Sequence, residues 1–301
     1  MQLTRDHQPN PQRERAFRTA LIITLAANLI LVLGKGLATY FTGSIALYAD
    51  TANSISDLIY SLALVVALKL VLQPPDLTHP QGHARFEPMV GLVVALMMGI
   101  AGYEALRSSI ERFISGGSVI EPGLPTMVLL VSAGIKAGMF FIIRNLAQKA
   151  DSPALRASAT DNLSDVLTSV AAFIGILASG LLHPLFDPIA GFLVSLWIFK
   201  AAFDAGRENF AYLTGAGPNE TLRQKILDTA NGVDGHHTVH HMISEYVGPK
   251  LAVDMHINLP GDAPLDVVHS ISDRIIEALE ALPEVDRAYV HVEPEAQDGE
   301  G

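Results

Sequence analysis

Six long apolar stretches, near 17–41, 45–72, 86–112, 122–146, 154–181 and 185–207, dominate the first two thirds of the chain. Each is long enough to cross a hydrocarbon core, which takes about 20 helical residues. They are separated at Gly43, the Pro74-Pro75 pair, Gly116-Gly117, Pro122, Pro153 and His183-Pro184, residue types that punctuate helices. The pattern predicts six transmembrane helices. After Pro218 the rhythm changes. Residues 219–232 read as a helix, 238–246 and 251–258 alternate like strands around Gly248-Pro249, 264–282 has amphipathic helical spacing, and 286–293 reads as a strand. The order αββαβ predicts a small open sheet with helices on one face, a ferredoxin-like α+β fold.

Composition agrees with this division. Half of the 301 residues are hydrophobic and the mean hydropathy is +0.33, more than an ordinary soluble domain carries. From Asp204 onward there are eighteen Asp and Glu against six Lys and Arg, so the last third holds more than the whole net charge of −11. An acidic surface of this kind argues against nucleic acid as a partner. The expected organisation is an N-terminal arm at 1–16, a six-helix membrane domain at 17–207, a cytoplasmic α+β domain at 208–295 and a disordered tail at 296–301. Arg5, Arg13, Arg15 and Arg18 in the arm, Arg85, then Arg144, Lys149 and Arg156, and finally Lys200 and Arg207 all fall on one side of such a bundle. The links near Gly43, Gly117 and His183 carry no Lys or Arg, and only Arg107 and Arg112 approach that side, so both termini are expected in the cytoplasm. The arm lacks the short apolar run and small-residue cleavage site of a signal peptide. The absence of cysteine excludes disulfides and thiolate metal sites.

Ionisable groups inside a span cost several kcal/mol unless they are paired or bind an ion. Asn53 and Asp57 stand four apart in the second span, on one helical face, and Asp161 and Asp165 repeat the spacing in the fifth. The local strings match: Asn53-Ser-Ile-Ser-Asp57 against Asp161-Asn-Leu-Ser-Asp165. Two such pairs supply four oxygen ligands to one ion, whereas three carboxylates without a cation would repel one another. The plainer alternative is polar packing between helices. Asp50 is open between a ligand, a supporting residue and a water-facing one. Lys35 reads as snorkelling from the end of the first span. Lys136 sits deeper in the fourth span, and pairing with an acid is one option for it.

Two further groups have ligand character. Asp76, His79 and His83 share a short loop, a spacing that can hold one divalent ion, although a simply solvated loop has the same composition. The acidic region holds seven of the eleven histidines, among them His237, His256, His269 and His291. His291 and Glu293 alternate on a predicted strand and so share a face. Neutral imidazoles suit zinc and neighbouring transition metals, and a histidine-rich surface with no specific ion is the alternative.

Six spans, acid pairs on the second and fifth, the Asp-x-x-His-x-x-x-His loop and the C-terminal α+β region together resemble the cation diffusion facilitator family over essentially the whole chain. Gly43-Ser44-Ile-Ala-Leu-Tyr-Ala-Asp50 and Phe186-Asp187-Pro188 are similar to its landmarks. The resemblance implies a homodimeric secondary transporter, not an enzyme, that exports a divalent metal in exchange for protons, expected in a prokaryotic inner or plasma membrane. It implies a transport site at Asn53, Asp57, Asp161 and Asp165, a loop site at Asp76, His79 and His83, and a cytoplasmic site at His237, His256, His291 and Glu293, with His269 as a possible bridging ligand. Zinc members usually place His in the transport site. The all-oxygen set here resembles the manganese-type members and favours Mn²⁺ over Fe²⁺, Co²⁺ or Zn²⁺. Thr214 stands where zinc members carry an acid that pairs across the dimer with a basic residue at the Arg85 position. A metalloenzyme, a channel and a non-transporting scaffold are the rival readings; no His-Glu-x-x-His run supports the first.

Overall fold

A computed structural model describes residues 3–5, 10–42, 45–117, 123–233 and 237–295, with the side chains at 42, 45–50, 52, 53, 56, 60, 63 and 67 outside that set. The expected tail at 296–301 and the side chains of Asp50 and Asn53 therefore lie outside the described residues. The chain divides into two units, 1–210 and 211–301.

The first unit contains six long helices, α1 (Pro11–Thr42), α2 (Ile45–Val71), α3 (Phe86–Ile114), α4 (Leu124–Ala150), α5 (Pro153–Leu181) and α6 (Phe186–Leu213), the last of which runs on into the second unit. Among the described residues, five of them, α1, α3, α4, α5 and α6, are long and apolar enough to cross a membrane. Their outward positions carry large apolar side chains such as Ile30, Leu33, Val131 and Phe203, each more than half exposed. A soluble protein would not leave so much apolar surface uncovered.

Helix α1 begins at Pro11, earlier than the apolar pattern alone suggests, because Asn10 caps it: the Asn10 Oδ1 accepts the Arg13 amide at 3.0 Å. The polar arm thus becomes the first turns of a helix. Helices α4 and α5 are joined by a two-residue turn. Asp151 takes the left-handed conformation (φ 45°) that closes α4, and Ser152 caps α5 by accepting the Leu155 amide at 3.1 Å. Pro153 follows, where a missing N–H costs nothing.

This hairpin sets depth. Lys136 lies fifteen residues before Asp151 and Asp165 fourteen after it, so at about 1.5 Å per residue both fall about 21–23 Å from the turn. Helix α4 packs along α5 and also against α1, and α1 packs along α2. The main apolar core gathers at the end of the bundle where α1, α3 and α5 begin and α2 and α4 finish, around Phe17, Leu68, Ile143 and Leu155.

The second unit has α7 (Glu220–Asn231), β1 (Thr238–Val247), β2 (Lys250–Leu259), α8 (Leu265–Glu280) and β3 (Val285–Pro294), the αββαβ order expected. The sheet order is β1-β2-β3, with β1 antiparallel and β3 parallel to β2. Gly248, at φ +74°, and Pro249 form the two-residue hairpin turn. Leu251, Val253, Met255 and Ile257 alternate inward along β2 and pack, fully buried, against Ile226 of α7 and Ile275 and Leu279 of α8. The intervening residues of β2, His256 among them, occupy the other face of the sheet.

Candidate metal sites

Asp57 of α2 and Asp165 of α5 converge on one point in the bundle, and Lys136 of α4 occupies it. Its Nζ lies 2.9 Å from Asp57 Oδ2 and 2.7 Å from Asp165 Oδ2, and its side chain is only 8 % exposed. The two carboxylate oxygens are therefore separated by less than the sum of those distances. Asp161, one turn before Asp165, is within electrostatic reach of Lys136, Asp57 and Asp165. Asn53 lies one turn before Asp57 on α2. Several polar residues nearby have partners of their own. Ser61 donates to Asp57 O, Asn28 of α1 donates to Ser61 of α2 at 2.6 Å, and Ser164 and Thr168 donate to carbonyls one turn back. Asp57 and Asp165 instead meet a cation from a third helix.

Lys35 does not extend outward as a snorkelling residue would. It is 7 % exposed, and its charge reaches Asp165. The acids account for this, since three half-buried carboxylates inside a bundle draw positive charge inward.

The loop residues also assemble. One ligand atom from each of Asp76, His79 and His83 lies within 4.8 Å of the others. Asp76 Oδ1 accepts hydrogen bonds from the Thr78 hydroxyl at 2.6 Å and from the backbone amides of Thr78 at 2.8 Å and His79 at 2.6 Å. The Thr78 hydroxyl and then the His79 amide hold the carboxyl well below its ordinary value, at about 2. His83 is buried and its ring stacks on Phe86, which fixes the imidazole facing Asp76 at 3.6 Å.

On the open face of the sheet, His240, His256 and Glu293 form the second cluster among the described residues. His256 Nδ1 donates to Glu293 Oε1 at 3.0 Å, and His240 Nε2 lies 3.2 Å from Oε2. The His256 contact holds the Glu293 carboxyl below its usual range. His291 sits beside His256 in the parallel register, ring centroids 4.9 Å apart.

His237, expected as a ligand, is not brought to this cluster: its Nε2 donates to Ala230 O at 3.1 Å, and His240 is the residue that faces His256 and Glu293. The cause is a β-bulge between Val239 and His241, which leaves His240 outside the regular pairing and aims it at the open face. Two adjacent exposed residues, His240 and His241, were the local trace of it. His269 lies on α8, pairs with Asp273 at 3.5 Å and does not join the cluster.

Residues 21–214 match the cation efflux transmembrane domain, and residues 218–295 match the cation efflux protein cytoplasmic domain. The chain belongs to the cation efflux family. It is thus an integral membrane protein of a family of divalent metal cation efflux transporters. An uncharacterised transporter of Methanocaldococcus jannaschii is 33 % identical over 279 residues, covering 93 % of this chain and 99 % of the relative. Metal tolerance protein 2 of Oryza sativa subsp. japonica is 30 % identical, covering 93 % and 78 %. The manganese efflux system protein MneS of Bacillus subtilis is 29 % identical, covering 91 % and 94 %.

Proposed function

We propose that this cation efflux protein exports a divalent metal, with Mn²⁺ favoured, in exchange for protons by alternating access across six spans, α2 being the sixth. The carrying observation is the convergence of Asp57 and Asp165 on a single cation: acids from two helices share one point that stabilises positive charge. The substrate would be held by Asp57, Asp161, Asp165 and Asn53. An all-oxygen set favours hard ions and gives up the preference for Zn²⁺ that imidazole supplies. Manganese efflux by a relative supports the same ion.

Asn53 cannot titrate, so the three carboxylates would carry the proton exchange. Uptake of protons from the far side weakens their hold on the metal and releases it. The apolar packing around Phe17, Leu68, Ile143 and Leu155 closes the arginine-rich end of the bundle in this conformation. Access from that end then requires α1, α3 and α5 to part from α2 and α4. Both termini would lie in the cytoplasm, in a prokaryotic inner or plasma membrane. Two chains would associate through the C-terminal unit, with regulatory metal at His240, His256, Glu293 and the adjacent His291, and at the Asp76 loop.

Proteoliposomes carrying a pH gradient test this directly. Mn²⁺ uptake should exceed that of Zn²⁺, Fe²⁺ and Co²⁺, depend on the gradient, and fall to background in Asp57→Ala and Asp165→Ala. Undiminished flux in either variant refutes the site; flux indifferent to the gradient points to a channel.

A further inference from the structure

Lys136 is not among the ligands, yet its ammonium occupies the gap between Asp57 and Asp165. We propose that Lys136 is a tethered competitor of the transported metal, which holds the site in the metal-free protein and must withdraw for the metal to bind. The proposal rests on the reading of Asp57 and Asp165 as transport ligands.

Geometry makes the two cations exclusive. An ammonium at 2.9 and 2.7 Å from the two oxygens fills the space between them. A divalent ion taking the same oxygens at about 2.0–2.6 Å would sit almost on top of it. The side chain is buried and reaches the acids from a helix that contributes no ligand, so it can swing away while the carboxylates stay in place. A lysine suits this duty, because its ammonium is a compact point charge on a flexible stem, whereas a guanidinium would grip each carboxylate through two bonds.

Two consequences follow. The empty carrier crosses between its states without leaving the acids unbalanced in a medium of low dielectric. The incoming ion must also outbid an internal charge of +1. A monovalent ion offers no more charge than the ammonium it would displace, and a divalent ion offers twice as much. Lys136 thus favours divalent substrates and promotes their release, at the expense of affinity. If the ammonium holds the gap for about 90–99 % of the time, apparent affinity is weakened about 10- to 100-fold.

The test is Mn²⁺ binding to the purified full-length protein by calorimetry, read from the component that Asp57→Asn removes. Lys136→Gln should bind Mn²⁺ in that component at least about tenfold more tightly and transport it with a lower KM and a lower kcat. Lys136→Arg should bind it more weakly. A merely structural lysine predicts that both variants weaken binding. Unchanged or weaker binding in a folded Lys136→Gln overturns the proposal. If that variant does not fold, Lys136→Met, which likewise removes the charge and keeps the stem, decides: tighter binding supports competition, and equal or weaker binding overturns it. A native protein in which Asp57→Asn removes no component refutes the transport site itself, a separate failure.

Discussion

Replacing Arg13 by Met isolates a charge that the fold has buried completely. Glu87, at the start of α3, is 0 % exposed, and its ion-pair partner is Arg13 on the first turn of α1, itself 21 % exposed. Removing one partner of a buried pair costs about 3–5 kcal/mol, because the remaining charge has lost its water and gained nothing. Two features of the structure set the figure here. Arg156 remains within electrostatic reach of Glu87 and relieves part of the penalty. Arg13 also lies over the Phe17 ring at 5.3 Å, a cation–π contact worth about 0.5–1 kcal/mol that the variant loses too. The expected cost of Arg13→Met is therefore about 2–4 kcal/mol. Arg13→Met combined with Glu87→Leu should recover most of it, since the buried charge is then absent. The assay is reversible unfolding in mixed detergent followed by circular dichroism, with the two single variants and the double variant closing a thermodynamic cycle. A loss under about 0.5 kcal/mol in Arg13→Met, or a double variant no more stable than the single, refutes the reasoning.

On the sheet, His256→Ala or Glu293→Gln should weaken metal binding at that cluster by at least about tenfold, read as lost metal-dependent stabilisation, while His237→Ala should leave it unchanged. Binding there should weaken as the solution is acidified, because protons compete with the metal for its ligand nitrogens and oxygens. The Glu293 carboxyl is held below its usual range by the His256 contact, so the stability it adds above the ordinary carboxylate range is lost only at more acid pH. In the loop, Asp76 should titrate near 2, so its contribution to stability is complete above 3.8 and disappears between there and about 2. Thr78→Val should move the carboxyl ¹³C midpoint back toward 3.8, and an unmoved midpoint refutes the assigned cause.

Much of the architecture was legible because the signals are local. Long apolar runs punctuated by Gly and Pro mark α1 to α6, and period-two alternation marks β1 to β3. The termini shifted where capping chemistry outweighed hydropathy, as at Asn10 before α1. The acid pairs were legible as well, since a spacing of four places two side chains on one helical face. The loop ligands lie close in sequence and so had to be close in space. The cytoplasmic cluster was only partly readable. His256, His291 and Glu293 follow strand periodicity, but a bulge shifts that period by one residue, and His240 rather than His237 reaches the open face.

What the sequence determined by itself is which residues are ionisable inside spans and which of them share a face. Helical and strand periods dictate that, whatever the neighbours do. What only the tertiary structure decided is which cation those acids meet. Lys136 is 79 positions from Asp57, and their contact depends on α4 folding back along α5 through Asp151 and Ser152 to bring the lysine level with Asp165. Depth along a helix follows from counting residues. The choice of neighbouring helix follows from packing over the whole bundle, and it puts a lysine from a third helix between Asp57 and Asp165, a pairing the sequence offered only as one option and without naming the acids.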